Sequence, residues 1–325
     1  MIKTLLIFLL ILIAKSYSDI VPLDVIQGNV YPADSSEVIM VDEYVLVTLK
    51  KTYPNVYARF KMYNSGNAIR TKVGFPINET TYKDDFNPDI DQFWCQVNDQ
   101  FFDLKMTKER LEHDNYPSKI FRWYYWEMTF PGKDTTVIEI GYTGKWLEEF
   151  PVSEFRYLIG TGKYWNGSIG KGQVVFDHSA LATSLFVYKH PIYMGNKDLR
   201  SPLYSHSFDV TYSEDLTIVK FTNYNPDPGE TIDIAFVSFW SNHISSSEAY
   251  HWNLKYHLDE SSKSDLYLMR NEILARKGHK FSDKKLIKYF YAKKWYVPTK
   301  IISLEELTEA EKYVYDATLK YEEEQ

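Results

Sequence analysis

From about residue 37 to residue 260, apolar and polar positions alternate in short runs. Val56, Ala58, Phe60 and Met62 alternate with Tyr57, Arg59, Lys61 and Tyr63, the period of a strand with one buried face. Asn64-Ser65-Gly66 ends the run with turn residues. Val45, Val47 and Leu49 mark an earlier strand of the same kind. Trp126, Met128 and Phe130 alternate, Pro131 to Asp134 turn the chain, and Ile138, Ile140 and Tyr142 alternate afterwards. That order predicts a hairpin with a four-residue connection. Leu216, Ile218, Lys220 and Thr222 alternate with Thr217, Val219 and Phe221, a break follows at 225–229, and Ile232, Ile234 and Phe236 resume the pattern. Short strands at this spacing predict an antiparallel sandwich, one or two of them. No fixed-period repeat is present, which disfavours propellers and solenoids.

The period changes after a polar linker at residues 259–264. Leu266, Met269, Ile273 and Leu274 recur at helical spacing. Ser264 or Asp265 is the expected cap, and Gly278 stands where a helix end needs a left-handed residue. Ser282 is the expected cap of a second helix carrying Leu286, Ile287, Tyr289 and Phe290, and Pro298 stops regular structure. Thr308 and Glu311 fit the capping box of a last helix, with Ala310, Val314, Ala317 and Tyr321 inward. The fold class expected is therefore mainly β over residues 19–260, followed by a small α-helical C-terminal domain over residues 261–325.

Residues 1–18 form a segment of another kind. Lys3 precedes an unbroken apolar run from Leu5 to Ala14, and Ser16 and Ser18 are small residues suited to peptidase cleavage before Asp19. This is the layout of a signal peptide, and the run is too short for a spanning helix. The later apolar stretch 232–240 is interrupted by Asp233 and reads as a strand, so no transmembrane helix is expected after cleavage. The expected location is periplasmic or extracellular. The one cysteine, Cys95, excludes an intrachain disulfide and reads as a small core residue.

The 27 Tyr, 19 Phe and 8 Trp reinforce the strand reading and also offer stacking surfaces. Net charge is −7, and loss of Lys3 and Lys15 with the signal segment makes it −9, so nucleic acid is not an expected partner. Charge is uneven: residues 266–300 carry ten Lys or Arg against Glu272 and Asp283, and residues 301–325 carry eight acids against Lys312 and Lys320. Lys284, Lys285 and Lys288 are the candidate contacts to an anionic wall polymer or lipid headgroups, beside the plainer reading of a solvated helix face.

Residues Leu266 to Tyr296 resemble the YARHG domain of bacterial extracellular proteins. The resemblance rests on Arg270-Asn271-Glu272, Ala275-Arg276, Gly278, Phe281, Leu286, Phe290 and Trp295-Tyr296, with LTEAEK at residues 307–312 similar to the family's closing helix. Leu274 and Lys277 stand where the family usually has Tyr and His. What the chain keeps is a structural signature, and the resemblance implies an envelope or extracellular setting without an activity. The body more weakly resembles exported bacterial β-rich domains of unknown function, through residues 40–44, Gly74-Phe75-Pro76 and residues 157–170.

Catalytic and metal motifs fail on spacing. The glycine-rich stretch 160–172 lacks the Lys-Ser/Thr of a phosphate loop. Around Ser168 the first glycine of a nucleophile elbow is replaced by Asn166. Tyr164 and Trp165 in that stretch are candidates for a stacking platform, beside the plainer reading of a tight turn over a packed Trp165. Asp85, Asn87, Asp89 and Asp91 have the opening spacing of a calcium loop, but Ile90 and Gln96 occupy the glycine and glutamate positions, which excludes a helix-loop-helix site and leaves an irregular surface calcium site beside the plainer reading of an acidic solvated loop. His243, His251 and His257 have no zinc-site spacing. The expectation is an exported cell-envelope binding or structural protein, without catalysis or cofactor, whose helical domain docks on wall polymer or an envelope protein. A hydrolase acting on wall glycan or peptide is the alternative.

Overall fold

The structure is a computed structural model. It describes residues 21–26, 29–32, 37–79, 90–113, 116–149, 152–181, 193–194, 197–198, 207–213, 215–227, 230–237, 254, 258–259 and 261–325.

Among these residues the strands form three sheets. The first has the order β2 (Asn29–Pro32), β1 (Val21–Ile26), β5 (Ile69–Glu79), β9 (Tyr116–Phe130), β8 (Lys105–His113). The second and largest runs β16 (Phe208–Tyr212), β17 (Leu216–Tyr224), β13 (Ile169–Asp177), β3 (Val38–Leu49), β4 (Pro54–Asn64), β10 (Asp134–Gly144), β6 (Ile90–Val97), β7 (Gln100–Phe101). The third runs β11 (Leu147–Glu149), β12 (Val152–Leu158), β18 (Thr231–Val237), β14 (Tyr193–Met194), β15 (Lys197–Asp198). All pairings are antiparallel except β13 with β3, which is parallel. The fold is thus mainly β with three C-terminal helices, as the alternation of the chain indicates.

One apolar core joins the sheets. The inward positions of the large sheet, among them Val45, Val47, Ala58, Phe60 and Ile140, are buried with Val73, Trp126 and Phe130 of the first sheet and Phe155, Tyr157 and Ile234 of the third. This core corrects the expected hairpin. β9 pairs with β5 and β8, whereas β10 pairs with β4 and β6. The turn at residues 131–134 therefore carries the chain from one sheet to another, with Lys133 at φ 55°. Both strands are apolar on one side, and that pattern is satisfied equally by pairing in one sheet or by facing each other across the core; the register partners of β9 and β10 show the second arrangement.

The C-terminal region forms α1 (Lys263–Arg276), α2 (Lys284–Tyr291) and α3 (Glu309–Glu324). The caps of the first two helices fall beside the expected residues. Ser262 caps α1 in a capping box with Asp265, and Asp283 caps α2 by accepting from the N–H groups of Lys285 and Leu286. Thr308 caps α3 in the predicted box with Glu311. α1 ends in a Schellman motif: Gly278 N–H donates to Ala275 O at 2.9 Å and His279 N–H to Leu274 O at 3.1 Å, with Gly278 at φ +81°. A Cβ at Gly278 would also stand 2.9 Å from the Val297 carbonyl oxygen. No helix among the described residues is long and apolar enough to cross a membrane.

Candidate functional site

Cross-strand register builds a surface on the side of the large sheet that faces away from the core. Arg59 (β4), Tyr44 (β3), Gln173 (β13) and Lys220 (β17) lie in one continuous row. Asp42 pairs with Lys61, and Lys171 with Thr222, in the row beside it. A groove of about 400 Å³ opens along these rows, lined by Asp42, Tyr44, Arg59, Lys171, Gln173, Lys220 and Thr222, with Glu43, Gly172 and Phe221 at the positions between. Successive side chains alternate faces of a sheet, so the same strands that bury Val45, Ala58, Val174 and Val219 present this polar set outward.

The groove is lined by three cations, Arg59, Lys171 and Lys220, and one outward carboxylate, Asp42, while Asp209 stands opposite Lys220 on the edge strand. Arg59 approaches Asp42 at 3.9 Å and lies 5.9 Å from the Tyr44 ring centroid. Lys171 and Lys220 are exposed and have no carboxylate within ion-pair distance among the described residues. Beneath the floor, on the core side, Glu43 is 1% exposed and accepts a 2.9 Å hydrogen bond from Tyr157 OH of the third sheet. Its second oxygen, Oε2, has no partner among the described residues. Burial, more than the neighbouring Asp42, pushes this carboxyl up to about 7, while the Tyr157 bond pulls the other way.

A second raised carboxyl, Asp233, sits 6% exposed on β18. Burial pushes this carboxyl up to about 7, opposed first by a hydrogen bond from Thr231 and then by Arg156, 3.8 Å away. Of the two acids, Glu43 lies at the groove and Asp233 is not among its lining residues. His178, 1% exposed with Nε2 3.2 Å from Thr217 Oγ1, is pushed down to about 4 by burial. Among the described residues no group of three His, Cys, Asp or Glu is placed to hold a metal ion.

The residues singled out in the sequence separate. Trp165 is 3% exposed and packs edge-on against Phe130 at 5.9 Å between centroids. It is a core residue, which corrects the stacking-platform expectation: a ring with both faces packed has none to offer. Tyr164, half-buried, ends the 3₁₀ turn 160–164. Asp91 is exposed, and Asp85, Asn87 and Asp89 lie outside the described residues, as do His243, His251 and His257.

Lys284, Lys285 and Lys288 are exposed on α2. Lys285 donates to Ser264 Oγ at 2.9 Å and stands over the Tyr267 ring. The acidic last segment neutralises part of the basic one: Arg270 meets Glu322 at 2.6 Å, Lys277 meets Glu311 at 3.0 Å, and Lys300 pairs with Glu306.

The motif residues form one packed network. Arg276 donates to Glu272 Oε1 at 2.6 and 3.1 Å while its guanidinium lies 4.2 Å from the Trp295 ring centroid. Asn271 donates to the Tyr267 carbonyl at 2.7 Å, and Phe281 stacks on Phe290. Tyr296 OH donates to His279 O at 2.6 Å, and Ala275 is buried between the helices. Lys277, at the family's histidine position, is committed to Glu311.

Residues 243–323 match the YARHG domain. No curated protein matches the chain. The chain is similar in structure to a presumed nutrient-binding protein from Legionella pneumophila, at 18% identity and a TM-score of 0.56, covering 94% of this chain and 98% of that one. That likeness is one of fold. An M1 zinc metallopeptidase from Deinococcus radiodurans is 10% identical over 63% of this chain and 43% of its own, at a TM-score of 0.30. Aminopeptidase A from Legionella pneumophila is 10% identical over 66% and 22%, at 0.32. At those scores neither peptidase bears on what this chain does.

Proposed function

We propose that this is an exported, envelope-associated binding protein. Its β body, residues 19–260 after removal of a signal peptide, takes an anionic ligand on the outer face of the large sheet. Its helical domain, residues 261–325, docks on wall material or an envelope protein through the exposed lysines of α2. The observation that carries this reading is the pair Lys171 and Lys220, both exposed on the groove, Lys171 two residues before Gln173 on β13 and Lys220 opposite Gln173 on β17, neither in a recorded ion pair among the described residues, although Asp209 lies opposite Lys220 in register. Lys171 and Lys220 stand on paired strands whose ladder fixes their spacing beforehand, which lowers the cost of binding an anion, and Asp209, opposite Lys220 in register, offsets part of that charge. The similarity in fold to a presumed nutrient-binding protein and the YARHG match both agree with a binding role.

The test is co-sedimentation of the full chain with purified cell-wall sacculi, with the supernatant assayed for released fragments. The expected result is sedimentation without release. Changing Lys284, Lys285 and Lys288 together to Glu should reduce it, most at low salt, where surface charge is least screened. Absence of sedimentation by the unaltered protein, or fragment release, overturns the reading.

A further inference from the structure

The groove is one end of a longer strip. In the row next to Arg59 and Tyr44, Tyr57 (β4), Gly141 (β10) and Trp94 (β6) are in register. Gly141 has no side chain, and a Cβ there would overlap the Trp94 indole; the ring therefore lies across the strand between its own and that of Tyr57. The result is an unbroken aromatic sequence: Tyr44 to Tyr57 at 6.5 Å between centroids, Tyr57 to Trp94 at 6.4 Å, and Trp94 to Phe101 at 6.0 Å. Phe101, at the far edge, is 72% exposed. It is put there by the Asn98-Asp99 turn, whose two residues have φ of 46° and 64°, as a two-residue hairpin loop requires. From Phe101 on β7 to Lys220 on β17 the strip crosses seven strands, or about 29 Å at about 4.8 Å per strand. Polar side chains border it throughout, and Glu139 anchors the Tyr57 hydroxyl.

We infer that this strip binds an extended acidic oligosaccharide, whose sugar rings stack along Tyr57, Trp94 and Phe101 and whose acid groups meet Lys171 and Lys220. The inference rests on the groove being the binding surface. Aromatic faces present apolar area at little entropic cost, and they match the C–H faces of sugar rings. Gln173, Thr222 and Asp42 supply the hydrogen bonds that hydroxyls need. A peptide fits less well. Extended peptides are captured by adding to a free sheet edge, and mid-sheet the backbone groups of β3, β4 and β10 are already used in the ladders on both sides.

The experiment titrates the full chain with oligogalacturonates of increasing length, with neutral cello-oligosaccharides of the same lengths, and with polyglutamate of matched charge. Affinity should rise with oligogalacturonate length until the chain spans the strip. Trp94→Ala and Phe101→Ser should each weaken the long oligomers about tenfold and leave the shortest unchanged; Phe101 is so exposed that its change leaves the fold intact. Lys171→Glu with Lys220→Glu should abolish binding at every length. Polyglutamate binding as tightly as the oligogalacturonates, or full affinity in both aromatic variants, overturns the sugar assignment while the groove stands. Binding undiminished in the double lysine variant overturns the groove as well. Cello-oligosaccharides binding as tightly as oligogalacturonates overturn the acidic part of the inference, and no binding of any oligogalacturonate overturns the inference whole.

Discussion

The indole of Trp94 occupies the space that a side chain at Gly141, its in-register neighbour, would fill. Glycine at that position is explained by the ring above it, since β10 requires no unusual backbone conformation there. Gly141→Ala should therefore displace the indole, costing about 1–3 kcal/mol by overpacking. Chemical denaturation and long-oligosaccharide affinity should change together; a variant with unaltered stability and affinity would show that Trp94 has another resting place.

Glu43 makes stability depend on pH in a definite sense. Burial raises its carboxyl from 4.5 to about 7, so between those values the folded state holds more protons than the unfolded one. Stability contributed by the protonated form is complete below about pH 4.5 and is lost as pH rises through about 7. Glu43→Gln keeps an acceptor for Tyr157 and removes the titration. Relative to the parent, the variant should gain stability from pH 5 to pH 8, by roughly 2–3 kcal/mol. Parallel stability–pH curves for the two proteins would refute this.

Arg276 does two geometric tasks at once, a forked contact to Glu272 and a stack on Trp295. Lysine keeps the charge and loses the plane. Arg276→Lys should destabilise the helical region by about 1–2 kcal/mol, measured by helical circular dichroism in denaturant. An unchanged midpoint would mean that charge alone matters at this position.

At Gly278 the backbone is left-handed and the Val297 carbonyl closes the space. Gly278→Ala should cost at least about 1–2 kcal/mol, and exchange of the His279 amide, which completes the Schellman motif, should accelerate. Normal protection at His279 would refute the cap.

Trp165→Ala should behave as a core deletion, losing about 3–5 kcal/mol, whereas Tyr164→Ala should lose far less. The pair, compared by thermal denaturation, separates a packed ring from a half-buried one; equal losses would contradict the burial difference between them.

Local features were legible in the order of residues alone. Alternation in β3 and β4, the Thr308–Glu311 box, the helical spacing of Leu266 to Leu274 and the glycine at 278 each concern residues within a few positions of one another, where steric and capping preferences act directly. The shift of the α1 cap from Ser264 or Asp265 to Ser262 is a local ambiguity of the same kind, since several good capping residues stand in a row. Strand partners and the groove depend on contacts between distant segments. Alternation marks which face of a strand is buried, but not which strand lies beside it. It could not show that residues 131–134 cross between sheets or that β13 enters parallel to β3. Arg59, Tyr44, Gln173 and Lys220 are ordinary outward residues of separate strands in the sequence. They become one row only because backbone ladders fix the register of β4, β3, β13 and β17 across more than half the chain, and burial of the opposite face leaves them no other side to occupy.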